Sequence, residues 1–188
     1  MIHKGKEILA AICGGSKSGK TTLAFALAHW IWREHGLRSI VYDPFAARQR
    51  AAWGKSAWVT SDLEAFRRAV WGTTACAVFW DESSDSLDRN AREDKRFFTR
   101  IRHEHRALFV LMHDFTVLTP LMRGNLSDAW IFRQTSKRAD DWCNLFTDHR
   151  LRDAAELDQY QFIHKRAFRD PKRYKPSAAD LKTINFET

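Results

Sequence analysis

No apolar run in the 188 residues approaches the ~20 that a membrane-crossing helix needs. The N-terminus carries lysines but no clean apolar stretch ending in a cleavage site, so no signal peptide is expected. Internal repeats and low-complexity segments are absent, which leaves a single folded unit as the expectation. Cysteine is scarce and scattered: Cys13, Cys76 and Cys143 lie far apart, two of them in expected buried strands. That placement fits core thiols in a reducing compartment rather than a disulfide framework.

Hydrophobic residues make up 44% of the chain, enough for one domain with a real core. The net charge of +8 favours a polyanion such as nucleic acid as partner. Eight tryptophans are many for this length, and they suit the core, subunit contacts or base stacking alike.

Apolar runs alternate with helical patterns. Residues 7–13, 39–42, 75–80, 107–112 and 129–132 read as strands. Residues 20–35, 61–71, 90–104, 119–125 and 139–146 read as helices, with Gly36 closing the first and Ser61 opening the second. Continuous apolar strands separated by helices predict an α/β fold with a mostly parallel central sheet flanked by helices on both faces. The core is expected over residues 1–148. Residues 149–188 read as a basic appendage that contains a possible strand at 159–163.

Gly14-Gly15-Ser16-Lys17-Ser18-Gly19-Lys20-Thr21, followed by Thr22, fits G-x-x-x-x-G-K-[ST] between an apolar strand and a helix. Glycines let backbone N–H groups curl around phosphates, and the helix points its positive end at them. Lys20 would reach the β- and γ-phosphates of ATP, and the Thr21 hydroxyl would bind Mg²⁺. A second apolar strand delivers Asp81 as a further Mg²⁺ ligand, with Glu82 placed to activate the attacking water. That carboxylate pair favours hydrolysis over phosphoryl transfer to a metabolite. His113 ends the strand Leu108–Met112, where it would sense the γ-phosphate, position water, or serve only structure.

In order, these elements, the segment from Arg106 to Ala107 and Leu108, the run Pro120 to Asn125 and the strand ending Trp130 to Arg133 resemble the FtsK/HerA superfamily of DNA-pumping ATPases. The compact size resembles the genome-packaging ATPases of membrane-containing double-jelly-roll viruses. The resemblance spans residues 8–146, and the segment 106–133 discriminates it from other ATPases. It implies a RecA-like, additional-strand P-loop NTPase fold and a homo-oligomeric ring, commonly a hexamer. It also implies ATP-driven packaging of double-stranded DNA into a preformed capsid, with capsid or portal vertex proteins as partners, in the host cytoplasm and at the virion vertex. His113 stands where the family usually has glutamine. A ring also needs a cation from the neighbouring subunit, and the candidates in order are Arg106, Arg123, Arg102 and Arg100.

Other segments stay open. Residues 46–55 form either a pore-facing DNA loop or a solvated one. Residues 169–175 would touch DNA, a neighbour, the capsid or nothing. His103 and His105 point apart on a helix, so no metal site is expected there. A nucleoside or small-molecule kinase explains the P-loop but leaves Glu82 and the charge without a role. An ATP-dependent morphogenesis or partition switch is the remaining alternative.

Overall fold

The computed structural model describes residues 8–88, 90–101, 106–177 and 179–180. Eight strands form one sheet in the order β3-β2-β4-β5-β1-β6-β7-β8. They are β1 (Leu9–Cys13), β2 (Ser39–Tyr42), β3 (Ala57–Thr60), β4 (Ala77–Trp80), β5 (Ala107–Met112), β6 (Asp128–Phe132), β7 (Phe162–Arg166) and β8 (Lys172–Tyr174). The first six are parallel, and β7 and β8 add in antiparallel fashion beyond β6. β5 lies between β1 and β4, so one additional strand separates the phosphate-loop strand from the Asp81 strand.

Every residue of β1, β2, β4, β5 and β6 is buried, as helices covering both faces require. Strand alternation divides them between two cores. Leu9, Ala11 and Cys13 face one with Phe66, Trp80, Phe97 and Trp142. Ala10 and Ile12 face the other with Leu23, Leu27, Ile31 and Trp53. The first core is packed by α3 (Leu63–Trp71), α5 (Arg92–Thr99), α6 (Pro120–Gly124) and α7 (Ser136–Phe146), and the second by α1 (Lys20–His35) and α2 (Ala46–Trp53). A single turn, α4 (Ser83–Ser86), follows β4. No described helix is long and apolar enough to cross a membrane.

Several elements depart from the sequence expectation. Residues 46–53 are helix α2, not a loop; its buried anchors are only Ala46 and Trp53, too few to write a helical stripe. The indole of Trp53 donates to Asp43 Oδ2 at 2.9 Å. β3 was not expected, because this edge strand has four residues and buries only Val59. The cap of α3 is Asp62, whose carboxylate accepts from the Glu64 and Ala65 N–H groups at 2.9 and 3.0 Å, rather than Ser61. Helix α5 is shorter than expected; residues 102–105, with Arg102, His103 and His105, lie outside the described residues. Residues 149–156 pack on α7, and β7 and β8 continue the sheet, so the chain beyond residue 148 runs on from the core through residue 174.

Candidate nucleotide site

β1 ends at Cys13, and the chain turns through residues 14–19 into α1. Only glycine fits at position 14, where a Cβ would lie 2.6 Å from Phe132 Cβ and 2.9 Å from Ser18 Oγ. Gly19 takes a φ of 109°, in the region that favours glycine. Neighbouring segments hold the loop open. The Gly14 N–H donates to the Met112 carbonyl at 3.2 Å, and the Tyr160 N–H to the Ser18 carbonyl at 3.2 Å. The side-chain amide of Gln159 donates to the Lys17 carbonyl at 3.1 Å.

Two features of the loop suit an anion. Helix α1 has 16 residues and no side-chain cap on its N-terminal N–H groups. The Ser18 hydroxyl is buried without a hydrogen-bond partner. Lys20 is buried and folds back, its ammonium donating to the Gly14 and Gly15 carbonyls at 2.9 and 3.0 Å. Burial lowers its pKa. Its present acceptors are neutral carbonyls, so a phosphate in the loop would offer it a charged one. Gly15, Ser16 and Lys17 line the exposed rim, and Thr21 and Thr22 sit on the first turn of α1.

Asp81 follows β4 and is 3% exposed. It accepts from the Glu82 N–H at 2.8 Å and from the Thr21 hydroxyl at 3.3 Å. Burial, with Asp43 and Glu82 nearby, pushes its carboxyl up to about 7. A buried carboxylate paired with a hydroxyl offers a hard cation two oxygen donors. Among the described residues, no cluster of three His, Cys, Asp or Glu side chains makes an all-protein metal cage. One carboxylate and one hydroxyl are the sparse set that Mg²⁺ takes when phosphates and water complete its shell. The residues therefore fit both ATP phosphates and Mg²⁺.

Glu82 has a left-handed backbone, φ 48°, at the corner between β4 and α4. Its neighbours stitch that corner to the end of β5. The Ser83 hydroxyl donates to the Leu111 carbonyl at 2.7 Å, and the His113 N–H donates to Ser84 Oγ at 3.1 Å. His113 is thereby held between two candidate site residues, with Nε2 3.1 Å from Glu82 Oε2 and Nδ1 3.5 Å from Lys20 Nζ. An ammonium can only donate, so Nδ1 accepts and Nε2–H donates to Glu82. One imidazole thus links Lys20 to Glu82.

The fold gathers Gly14 through Thr22, Asp81, Glu82 and His113 at the C-terminal ends of β1, β4 and β5. It does not bring Arg106 there. Arg106 precedes β5 at the opposite end of the sheet and is 1% exposed. Its guanidinium donates to the Thr73 carbonyl and lies 5.5 Å from the centre of the Trp71 ring. A cation offered to a neighbouring subunit has to project from the surface, so Arg106 is corrected to a structural role. Arg123, on α6 ahead of β6, also lies away from the loop, its guanidinium over Phe115 at 5.5 Å. Arg100 is exposed at the end of α5. Sequence reasoning missed Asp43 and the Gln159–Tyr160 corner. An acid directly after the apolar run 39–42 was a usable signal for Asp43. The corner reaches the loop only through the pairing of β7 with β6, which no local pattern announces.

No family model matches the chain, and no curated protein does. Solved structures do match. The genome packaging NTPase B204 of Sulfolobus turreted icosahedral virus 2, in complex with AMP, superposes with a TM-score of 0.73 at 15% identity, covering 91% of this chain and 98% of that one. The chain has a RecA-like P-loop NTPase fold. VirB4 of Thermoanaerobacter pseudethanolicus shares this fold, with a TM-score of 0.67 at 9% identity over 98% of this chain and 92% of that one. So does the pCW3 conjugation coupling protein TcpA with ATPγS, at a TM-score of 0.62 and 12% identity over 89% of this chain and 60% of that one.

Proposed function

We propose that the protein is an ATP-hydrolysing DNA translocase of the FtsK/HerA type that packages a viral double-stranded genome into a preformed capsid. The observation that supports this reading is the Lys20–His113–Glu82 chain beside the Thr21–Asp81 pair, on a fold shared with a genome packaging NTPase and a conjugation coupling protein. Residues 14–22 cradle the ATP phosphates, and Lys20 carries the charge opposite them. Thr21 and Asp81 hold Mg²⁺, which when bound supplies charge neutralisation on the phosphate oxygens. Glu82 takes the proton of the attacking water, and His113 holds Glu82 in register with Lys20. The working form is a ring, a hexamer at the capsid vertex, and a neighbour's Arg123, Arg102 or Arg100 completes each site. Before assembly the protein resides in the host cytoplasm.

The test is ATP turnover with and without long double-stranded DNA, alongside mass measurement under the same conditions. DNA raises the rate, and added salt reverses the gain. A rate indifferent to DNA, together with phosphorylation of a nucleoside or metabolite, sinks the translocase reading in favour of a kinase.

A further inference from the structure

Residues 165–175 contain six Lys or Arg and one acid, a net +5 of the chain's +8. Two of these cations work inside the molecule. Buried Lys165 donates to Asp148 Oδ2 at 2.7 Å and to the Arg169 carbonyl at 2.6 Å, which clamps the β7–β8 turn. Arg166 donates to Asp128 Oδ1 at 3.2 Å. The one acid, Asp170, is met from outside the hairpin by Arg150 at 2.9 Å. Arg169, Lys172, Arg173 and Lys175 remain, all exposed, and among the described residues none pairs with a carboxylate. Among the described residues, Arg173 donates to the neutral Gln161 Oε1 at 3.3 Å, which fixes its place and leaves its charge.

Edge-strand charge often serves only to block unwanted strand pairing. That explanation is weak here, because β3, the opposite edge, has no charged residue at all. It also leaves Phe168 unexplained. Phe168 sits on the turn with a φ of 60°, costly for an aromatic residue, and its ring is fully exposed. Among the described residues, nothing repays either cost.

We infer that the β7–β8 hairpin grips double-stranded DNA, with Arg169, Lys172, Arg173 and Lys175 on the phosphates and Phe168 against the sugars or base edges beside them. Such contacts hold a duplex without reading its sequence. The identity of the load rests on the motor reading above, whereas the surface is argued from the hairpin itself.

The experiment measures binding of the full chain to a labelled duplex by anisotropy at several salt concentrations. Replacing Arg169, Lys172 and Lys175 together by Gln removes three phosphate contacts and makes the plot of log affinity against log salt shallower by about 2.7. Basal ATP turnover stays unchanged. Replacing Arg48, Arg50 and Lys55 of the α2 region by Gln leaves the slope as it was. Phe168→Gly weakens duplex binding several-fold at the same slope and does not lower Tm, because glycine takes that φ without strain. A hairpin variant with the wild-type slope, or an α2 variant that loses slope instead, overturns the inference. So does hairpin-dependent binding to phosphatidylserine vesicles without duplex binding, which would make the surface a membrane contact. Duplex binding through the hairpin with no effect on turnover overturns the motor and leaves this inference standing. DNA-stimulated turnover that survives the hairpin variant does the reverse.

Discussion

Glu82 and Asp81 are adjacent, yet their surroundings differ in a way that suits the separate roles proposed for them. Glu82 is partly exposed and held by His113, in reach of water. Asp81 is buried against Thr21. Glu82→Gln should retain ATP binding while turnover falls by a factor on the order of 10² or more, the scale of a lost general base; a filter-binding assay beside a phosphate-release assay separates the two. Wild-type turnover would remove Glu82 from its role. Asp81 makes a second, pH-dependent prediction. Its native carboxyl is raised from 3.8 to about 7, so the folded state holds the proton more tightly than the unfolded chain. Without divalent cation, its contribution to stability therefore falls as pH rises between those values and is level above them. Asp81→Asn should abolish that slope in melts recorded with a chelator, and a slope unchanged in the variant would refute the assignment.

At the scale of elements, α3 is fastened at its start and at its middle. Asp62 caps it, and Arg67 makes a forked pair with Asp94, whose side chain is fully buried on α5. Asp62→Ala should cost about 1 kcal/mol. Arg67→Ala should cost about 3–5 kcal/mol, because it strands a buried carboxylate. Urea unfolding of the two variants checks the ranking, and equal losses would mean that the Arg67–Asp94 pair is no more than a surface contact. Legibility also varies by element. The P-loop and β4 could be read because their chemistry demands particular residues beside an apolar run. α2 could not, since Ala46 and Trp53 alone anchor it, and β3 could not, since one edge residue carries its burial. The bracing of the loop by Gln159 and Tyr160, and the placement of Arg106 at the far end of the sheet, follow from strand order. Strand order is a long-range property that local spacing does not encode.

At the scale of the whole molecule, the proposed ring would have each nucleotide site completed by a cation from a neighbour. Arg123→Ala subunits should bind ATP and fail to hydrolyse it. Mixing them with Glu82→Gln subunits should restore part of the turnover, since each supplies what the other lacks. No recovery in a mixed ring confirmed by mass would count against a shared site. Within one subunit, the buried strand beneath the loop has a further consequence. Cys13 ends β1, is wholly buried, and has its thiol pushed up to about 12 by burial. Such a thiol is inert toward an alkylating reagent until the surrounding structure parts. Its labelling rate is then a clock for breathing at the root of the P-loop, one that runs slower when nucleotide binds and needs no engineered probe.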